Sequence, residues 1–477
     1  MATLLGLDIG TTGAKATLID ESGRILKTSH SDYPLSTPRP GWAEQNPEDW
    51  WQAVRECIAE IGEKPDAIGL TGQMHGSVFL DSQDEVVRPA LLWCDQRTVE
   101  ECQEIDRLCG VEFVRETTCN PPIPGFQLPK ILWLRRHEPE CFARTKTVLL
   151  PKDYIVMRLT GEKSTDVSDA SGVGAFDVRR REWSEELIGR VGLDRSLFPD
   201  SHESTKIIGY TREGVPVVAG AGDQAAGAVG VGAVEPGIVS ISLGTSGVAF
   251  GSVSAPVPDP TGSAHVFCHA NGRWHAMGVM LSCGGAVRWA RDTFFPGSTY
   301  DEMTRMASET VTGCDGLSFL PYLSGERCPV IDANARGTLA GLSLSHSSAH
   351  IARAIFEGAT FGLIDCLAAL GRLGCDAETI RVTGGGSVSQ FWVQMIADAS
   401  GKTCVTMCAD EGPPFGAAIL AGVGIGLWPD TQVACRETVR ENERFRTSGA
   451  GYSSAYERYK LLYPALKDWG TPDNTIK

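Results

Sequence analysis

Two aspartates, Asp8 and Asp223, each follow a short apolar run and lie beside glycines, a setting in which a carboxylate can reach a ligand. Asp8 ends the run TLLGLD and precedes the turn IGTTG, where Gly10, Thr11 and Thr12 leave backbone N–H groups uncovered. Such a turn can cradle a phosphate group, and a neighbouring carboxylate can hold a magnesium ion that contacts the phosphate. A glycine-rich hairpin that Asp8 merely caps is the structural alternative.

Asp223 follows a predicted strand over residues 215–219 and precedes the small-residue helix QAAGAVGVG. Glycine and alanine give its carboxylate little steric cover, so it can meet a substrate hydroxyl and accept the proton during phosphoryl transfer. Capping of the following helix is the structural alternative, and both roles can hold together.

The segment GLTGQMHGSVFLD places Gln73, Met74 and His75 between glycines at the end of a predicted strand. A polar and an apolar side chain can therefore contact a small polar ligand at this turn. A single histidine is often structural, and a structural turn remains the alternative here.

The opening pattern has an echo half a chain later. VSISLGTSGVAFGSV, residues 239–253, repeats the order of apolar strand, Gly-Thr-Ser-Gly turn and second apolar strand, with Thr245 in the turn. Two such hairpins predict two similar halves that face one nucleotide, each with a phosphate loop. Pro236 and Gly237 separate them, so we expect domains over residues 1–236 and 237–477, called here the first and second halves.

A third glycine-rich turn follows the predicted strand TIRVT. Gly384, Gly385 and Gly386 stand between this strand and the helical pattern SQFWVQMIADAS. Three glycines allow a nucleotide to approach the backbone closely, and tight packing of strand on helix is the alternative.

Three other patterns lack what their apparent motifs require. SGKT at residues 400–403 lacks the glycine of a Walker loop, because Ile396 stands at that position. VPVVAGAGDQA resembles a dinucleotide fingerprint, but no acidic residue occurs between Pro236 and Pro258 to bind the ribose. HVFCHANGRWH, residues 265–275, has no second set of ligands for a structural zinc ion, and its alternation predicts a strand, a turn and a strand.

Composition places the chain among globular α/β proteins. Its 477 residues are too many for a single hydrophobic core and predict two or three domains. Helical and strand patterns alternate through both halves. A net charge of −16 argues against a general binder of nucleic acid or anionic membrane. The 15 cysteines form no CxxC pair, which favours a reducing cytosol, and neither a signal peptide nor a membrane span is predicted.

Eight motifs distributed along the chain resemble, in order, those of the xylulokinases within the FGGY family of carbohydrate kinases. They are LDIGTTGAKATLID, LTGQMHGSVFLD, LLWCDQRT, PKDYIVMRLTGEKSTDVSDASG, GAGDQAAGAVG, SLGTSG, YLSGERCP and TGGGS. The resemblance covers nearly the whole chain apart from the last forty or so residues, and its assignment to xylulokinases depends chiefly on GQMHG and SGERCP.

The resemblance implies two RNase H-like domains, as in actin, hexokinase and the 70-kDa chaperone ATPase, flanking a cleft. It implies phosphorylation of D-xylulose by ATP and Mg²⁺, with the sugar on the first half and the nucleotide on the second. The cytoplasmic location is expected from the cysteines, and the sequence leaves open whether the protein is a homodimer. A non-catalytic sugar sensor, a kinase of another ketose or polyol such as ribulose, and an actin-like or chaperone-like ATPase are the competing classes.

The resemblance also implies roles for individual residues. Asp223 is the catalytic base, and Asp8 lies near magnesium and the γ-phosphate. The remaining residues bind ligands: the sugar at Met74, His75, Asp223 and Gln224, and the nucleotide at Gly10, Thr11, Thr12, Thr245, Gly384, Gly385 and Gly386.

Three positions depart from the family pattern. Cys94 stands where similar sequences often have asparagine, residues 117–126 are rich in proline, and GGGSVSQFW replaces a more usual Ala-Lys/Arg-Ser after the glycines. These departures leave open a different sugar and an altered nucleotide affinity.

Overall fold

The structure is a computed structural model that describes residues 2–408 and 412–469. The first half has these strands: β1 Thr3–Ile9, β2 Gly13–Asp20, β3 Ile25–Asp32, β4 Glu44–Gln45, β5 Ala67–Gly72, β6 Val78–Leu80, β7 Ala90–Leu91, β8 Thr147–Leu149, β9 Ser164–Asp166, β10 Phe176–Asp177, β11 Glu182–Trp183, β12 Asp200–His202, β13 Ile207–Tyr210, β14 Pro216–Val218 and β15 Ala221–Gly222. Its helices are α1 Pro47–Ile61, α2 Val99–Cys109, α3 Val111–Thr118, α4 Gln127–His137, α5 Pro139–Arg144, α6 Pro151–Thr160, α7 Val167–Ala170, α8 Glu185–Arg190 and α9 Asp223–Gly230.

The second half has fewer and longer elements. Its strands are β16 Ile238–Leu243, β17 Gly247–Val253, β18 Ala264–Cys268, β19 Trp274–Met280, β20 Ser318–Leu320, β21 Thr338–Ala340, β22 Thr379–Thr383, β23 Thr403–Met407 and β24 Glu441–Phe445. Its helices are α10 Gly284–Phe294, α11 Tyr300–Ser308, α12 Ser348–Arg372, α13 Gln390–Ser400, α14 Gly412–Gly424, α15 Thr431–Thr438, α16 Ser453–Lys460 and α17 Leu462–Leu466.

Each half contains a seven-stranded sheet, and the two sheets share a core of five strands, in which β3-β2-β1-β5-β14 corresponds to β19-β17-β16-β22-β23. The first has the order β13-β14-β5-β1-β2-β3, with β15 also paired to β5, and the second has the order β18-β19-β17-β16-β22-β23-β24. In each, a central strand pairs antiparallel with its hairpin partner and parallel with a later strand, as β1 does with β2 and β5 and β16 does with β17 and β22. The echo seen in the sequence is therefore a repeat of the fold, and the predicted two-domain α/β architecture is confirmed.

Helix α14 joins the halves through contacts that only glycine permits. It comes from the second half of the sequence but packs on β1 and β5 of the first sheet. A Cβ on Gly6 would lie 1.7 Å from the Pro414 carbonyl oxygen, and one on Gly69 would lie 1.9 Å from that of Ala417. On its other side, a Cβ on Gly416 would lie 1.8 Å from the Ala226 carbonyl oxygen of α9. Because of these approaches, α9 and α14 lie backbone against backbone between the two sheets.

The glycine turn after β22 leads into a helix with clear start and stop signals. The Ser389 hydroxyl accepts a hydrogen bond from the Trp392 N–H at 3.3 Å, which begins α13, and Gly401 ends it in a left-handed conformation. Trp392, Met395 and Ile396 lie buried on one face, as their spacing predicts. This packing fixes the turn that precedes the helix.

The structure also shows the state of the cysteines and of the apolar helices, on which the sequence raised expectations. All 15 cysteines are unpaired, and 12 of them are buried. Among the described helices, α12 alone is long and apolar enough to cross a membrane, and 72% of its most apolar window is buried inside the protein.

Candidate active site

Parallel pairing of three strands brings the two aspartates to the same edge of the first sheet. Ile9 of β1 and Gly222 of β15 both lie beside Gly72 of β5. The chain therefore leaves both β1 and β15 at this edge of the sheet. The Gly10 turn, which follows Asp8, lies there beside Asp223. Carboxyl ends of parallel strands are where ligands bind in open α/β sheets.

Burial makes both carboxylates reluctant to ionise, because it raises the pKa of each. Burial raises the pKa of Asp8 to about 7, with the charge of Asp223 adding to the shift and that of Lys15 opposing it. Burial likewise raises the pKa of Asp223 to about 6, opposed by hydrogen bonds from Gln224. The Oδ1 atom of Asp8 is buried without a hydrogen-bond partner among the described residues. Such an orphaned carboxylate oxygen is suited to a cation or its hydration water.

Asp223 does not cap its helix. It is the first residue of α9, Gly222 is the N-cap, and no side-chain capping bond is formed there. The structural alternative from the sequence is therefore not realised, and the carboxylate is left available to a ligand.

The turn at residues 10–13 is held by hydrogen bonds to its carbonyl oxygens. The Gly10 carbonyl accepts from the Tyr33 hydroxyl at 2.6 Å and from Gln73 Nε2 at 3.1 Å. The Thr11 carbonyl accepts from Gln45 Nε2 at 2.7 Å, and the Thr11 hydroxyl accepts from Trp93 Nε1 at 3.0 Å. Because the carbonyls are tied back, the backbone N–H groups at the tip can point to an anion.

The second half has the equivalent turn. The Thr245 carbonyl accepts from the N–H groups of Cys283 and Gly285, at 3.0 Å each, and the Gly244 carbonyl accepts from the Gly284 N–H at 2.9 Å. Thr245 is thus fixed against the start of α10, just as Thr11 is fixed by its neighbours.

A cavity of about 190 Å³ lies between the halves, with Asp223 in its lining. Met74, His75, Asp223 and Gln224, the four residues predicted to bind the substrate, all line it. The remaining lining residues are Trp93, Ile123, Gly125, Ser246, Val248, His265, Met277, Val279 and Arg327. At ~30 Å³ per water molecule, this volume corresponds to about six waters, the scale of a small sugar.

His75 is held neutral and in one orientation. Its φ of 67° is rare for a residue with a side chain, and the Lys130 ammonium donates to its carbonyl at 2.8 Å. The Nδ1 atom lies 2.7 Å from the Gly172 carbonyl oxygen, which can only accept, so Nδ1 carries the proton and Nε2 is an acceptor. Burial, and then the charge of Lys130, lower the pKa of His75 to about 3.

Met74 forms an apolar wall of the same cavity. Its side chain is 4% exposed, and a Cβ on Gly222 would lie 2.8 Å from its Cγ. Gly222 is therefore needed to seat Met74 beside Asp223.

A second cavity, of about 300 Å³, opens in the second half between the Thr245 turn, α10, α11 and the start of α13. Thr245, Gly385 and Gly386 line it, whereas Gly384 does not. A Cβ on Gly384 would lie 3.0 Å from the Leu243 backbone, and one on Gly386 would lie 2.8 Å from Leu243 Cβ, while Gly385 has open space. Close packing thus accounts for Gly384 and Gly386, and Gly385 faces the cavity.

Sequence reasoning missed several lining residues. Trp93, Ser246 and Arg327 line the smaller cavity, and Arg288 and Tyr300 line the larger one. Ser246 could have been found from the GTSG echo, and Arg327 from the SGERCP motif. Trp93 adjoins the unusual Cys94, and the proline-rich segment contributes Ile123 and Gly125 to the smaller cavity. Among the described residues, no cluster of three or more acidic, histidine or cysteine side chains could hold a metal by itself.

Comparison with known proteins agrees with this architecture. The model of the FGGY family of carbohydrate kinases matches with its N-terminal domain over residues 3–230 and with its C-terminal domain over residues 239–425. The chain is 39% identical to the xylulose kinase of Escherichia coli (strain K12), covering 97% of this chain and 99% of that protein.

Two crystal structures superpose closely on nearly the whole chain. A xylulose kinase from Brucella ovis gives a TM-score of 0.93 at 38% identity, covering 98% of this chain and 100% of the other. A gluconate kinase from Lactobacillus acidophilus gives the same TM-score, 0.93, at 28% identity and 98% coverage of both chains. Since two family domain models together span both halves and a relative is similar from end to end, the chain belongs to the FGGY family of carbohydrate kinases.

Proposed function

We propose that this kinase transfers the γ-phosphoryl group of ATP to D-xylulose and forms D-xylulose 5-phosphate. The observation that carries the proposal is the convergence of Met74, His75, Asp223 and Gln224 in one small cavity, where Trp93 of the lining also bonds the Gly10 turn that follows Asp8. The names of the E. coli and Brucella relatives support the choice of sugar. The gluconate kinase superposes equally well, so the fold alone does not select the substrate.

In this proposal Asp223 is the catalytic base. Its pKa of about 6 leaves it largely ionised at neutral pH, yet makes it a stronger proton acceptor than an exposed aspartate. As the sugar hydroxyl oxygen bonds to the γ-phosphorus, its proton passes to Asp223, and the bond from that phosphorus to the β-γ bridging oxygen breaks to release ADP. The hydrogen bonds from Gln224 hold the carboxylate in place.

The sugar is bound by the pair Met74 and His75. His75 Nε2 accepts a hydrogen bond from a hydroxyl, and Met74 covers an apolar edge of the carbon chain. Because the backbone of His75 is fixed by Lys130 and its ring by Gly172, it loses little entropy on binding.

The nucleotide lies across the two turns, with its phosphates between them. Gly10, Thr11, Thr12 and Thr245 contact the phosphates, and the adenosine part lies in the larger cavity against Gly385 and Gly386. Gly384, which does not line the cavity, supports this turn by packing on the Leu243 backbone. Mg²⁺ bound with ATP would neutralise phosphate charge, and the orphaned Oδ1 of Asp8 is the atom that suits it.

The proposal also includes the cellular setting. The unpaired thiols favour a reducing cytoplasm. A division into domains at residues 236 and 237 belongs to the same proposal, and a homodimer is compatible with it.

The test is a panel of ketoses, polyols and gluconate in a coupled assay of ADP release. We expect the highest kcat/KM for D-xylulose and no ATP turnover without sugar. A higher kcat/KM for D-ribulose, glycerol or gluconate would make that compound the proposed substrate in place of D-xylulose. Binding of sugars without any turnover would indicate a non-catalytic sugar sensor.

A further inference from the structure

We propose that His265, supplied by the second half, is a second sugar-binding residue, and that Asn120 of the proline-rich segment positions it. The proposal rests on the function proposed above, because it concerns the same cavity. It would make recognition of the sugar a property of both halves rather than of the GQMHG turn alone.

The hydrogen bonds of Asn120 fix which of its side-chain atoms faces His265. Its Nδ2 donates to the carbonyl oxygens of Thr118 and Val266, at 2.8 Å each, and its Oδ1 accepts from the Val266 N–H at 3.3 Å. Three backbone groups therefore determine the orientation of the amide. With its nitrogen committed to carbonyls, Asn120 presents only an acceptor, Oδ1, to the imidazole.

That acceptor decides the tautomer of His265. The Nδ1 atom of His265 lies 2.9 Å from Asn120 Oδ1, so Nδ1 must carry the proton and Nε2 must be the unprotonated acceptor. Burial, together with the positive charge of Arg327, keeps the imidazole neutral by lowering its pKa to about 3. His265 is 3% exposed, and its Nε2 has no hydrogen-bond partner among the described residues. A buried acceptor without a partner costs stability, which a ligand hydroxyl would restore.

The cavity thus contains two matched imidazoles. His75 and His265 both line it, and each has Nδ1–H tied to a fixed oxygen and Nε2 free to accept. Phe126 and Phe267 pack against both rings, with the Phe126 centroid 4.9 Å from that of His75 and 6.1 Å from that of His265. The aromatic packing fixes the ring planes, so both acceptors are preorganised.

Arg327 supplies the complementary donors. Its guanidinium is partly buried, lines the cavity and makes no hydrogen bond or ion pair with the described residues. A hydroxyl group can donate to an imidazole and accept from a guanidinium at the same time, which an alkyl chain or a carboxylate cannot do. This combination selects a neutral polyhydroxy compound and gives a physical reason for preferring a sugar.

The experiment compares substitutions that separate the two ring nitrogens. His265→Asn keeps an amide near Nδ1 for Asn120 but removes the acceptor at Nε2, whereas His265→Gln places an amide oxygen near Nε2. The control is His269→Asn, which removes a buried imidazole close by in sequence but outside the cavity. Each protein is titrated with sugar by calorimetry and assayed for KM and kcat.

We expect His265→Asn to raise the dissociation constant and KM for the sugar at least tenfold, while KM for ATP stays within twofold. His265→Gln should recover a substantial part of that loss, and the control should bind sugar as the wild type does. Equal sugar affinities in the wild type and His265→Asn would overturn the proposal. So would a loss in His265→Asn that His265→Gln does not reduce at all.

The role of Asn120 is tested by a double-mutant cycle. Asn120→Ala should weaken sugar binding in the wild-type background and have no further effect in the His265→Asn background, because it acts through that imidazole. Additive losses would show that Asn120 is not a positioning residue for His265.

The same titrations separate this inference from the proposed function. If the wild type binds D-xylulose and His265→Asn binds it equally, the function stands and the inference is wrong. If the wild type prefers another sugar, the proposed substrate is wrong and the variants are titrated with that sugar instead. If no sugar binds the wild type, both proposals are overturned.

Discussion

At the scale of single residues, Asp8 and Asp223 resist ionisation because burial raises the pKa of each carboxyl, and the charge of Asp223 adds to the shift of Asp8. Their pKa values of about 7 and about 6 lie near the pH at which an enzyme works, where a carboxylate is an effective proton acceptor and a ready partner for a cation. The free energy that this arrangement costs the folded protein is recovered only when ligands bind. Each aspartate can therefore be tested both by activity and by stability.

Asp223→Asn should lower kcat about 10²–10⁴-fold, because the amide keeps the shape of the side chain but cannot accept the hydroxyl proton. Sugar affinity, measured by calorimetry, should fall much less than kcat. The exposed Asp376→Asn is the control for the chemical change itself. Turnover of Asp223→Asn close to that of the wild type would remove Asp223 from the reaction.

The same variant should be more stable than the wild type at alkaline pH. The folded-state pKa of Asp223, about 6, exceeds its ordinary value of 3.8, so the folded protein binds more protons and its stability falls as pH rises through that window. At pH 8 the ionised carboxylate costs about 1–3 kcal/mol, which the amide removes. Thermal unfolding without ligands should show a higher Tm for Asp223→Asn at pH 8 and a smaller difference at pH 5. An equal difference at both pH values would show that ionisation is not the cause.

Asp8→Ala should reduce magnesium-dependent turnover much more than sugar affinity. Asp8, with its orphaned Oδ1, lies in β1 beside the proposed phosphate turn, whereas His75 and Met74, the proposed sugar contacts, lie in the turn after β5. Titration of turnover with Mg²⁺ at saturating sugar, beside calorimetric titration with sugar alone, distinguishes the two effects. A comparable loss in both measurements would place Asp8 in the sugar site.

At the scale of elements, local patterns predicted well what depends on neighbours in sequence. Both glycine hairpins, the strand before Gly384 and the helix starting at Gln390 form as expected, because turn glycines and helical spacing are local signals. The strand-turn-strand predicted for residues 265–275 is likewise present as β18 and β19. Parallel pairing of β1 and β15 with β5 then accounts for the proximity of Asp8 and Asp223. The sequence suggested this proximity only through the functions predicted for the two residues.

Contacts between distant elements could not be predicted in this way. The segment GAAILAGVGIGLW gave no sign that α14 lies on the first sheet, since its apolar residues continue all around the helix. His265 was read only as part of a strand, because the amide that fixes its tautomer comes from residue 120. Arg327 was not predicted because only the packing of both halves shows which cavity it lines.

Gly69→Ala should destabilise the protein although it lies outside both cavities. The added Cβ would overlap the Ala417 carbonyl oxygen, and such overpacking costs about 1–3 kcal/mol or more. The displaced β5 should also disturb the turn that holds His75 and raise KM for the sugar. Gly189→Ala is the matched control, because nothing lies within 4 Å of the added Cβ in that helix. Equal unfolding midpoints for both variants would show that α14 does not pack closely on β5.

At the scale of the whole molecule, the smaller cavity is built from both halves, with His75 and Asp223 on one side and Ser246 and Arg327 on the other. Direct hydrogen bonds also cross between the halves outside the cavity. Trp274 Nε1 donates to the Val178 carbonyl oxygen at 2.6 Å, and Arg181 Nη1 donates to the Arg273 carbonyl oxygen at 2.6 Å. A ligand bound in this cavity therefore contacts both halves. The separation of the two halves also sets the distance between the Gly10 turn and the Thr245 turn.

This arrangement predicts that sugar and nucleotide strengthen each other's binding. A sugar that draws Arg327 and Ser246 towards His75 also brings the Thr245 turn towards the Gly10 turn, between which we propose that the triphosphate binds. The enhancement must be reciprocal, because coupling between two binding sites is a single free energy, typically 5–150-fold in affinity.

Calorimetric titration of D-xylulose with and without a non-hydrolysable ATP analogue, and of the analogue with and without D-xylulose, should give the same factor. His75→Ala should weaken sugar binding and leave affinity for the analogue alone unchanged, which separates coupling from damage to the nucleotide site. Independent binding of the two ligands would mean that the halves hold their separation in every state, and that water is excluded from the phosphoryl group by the sugar itself rather than by closure.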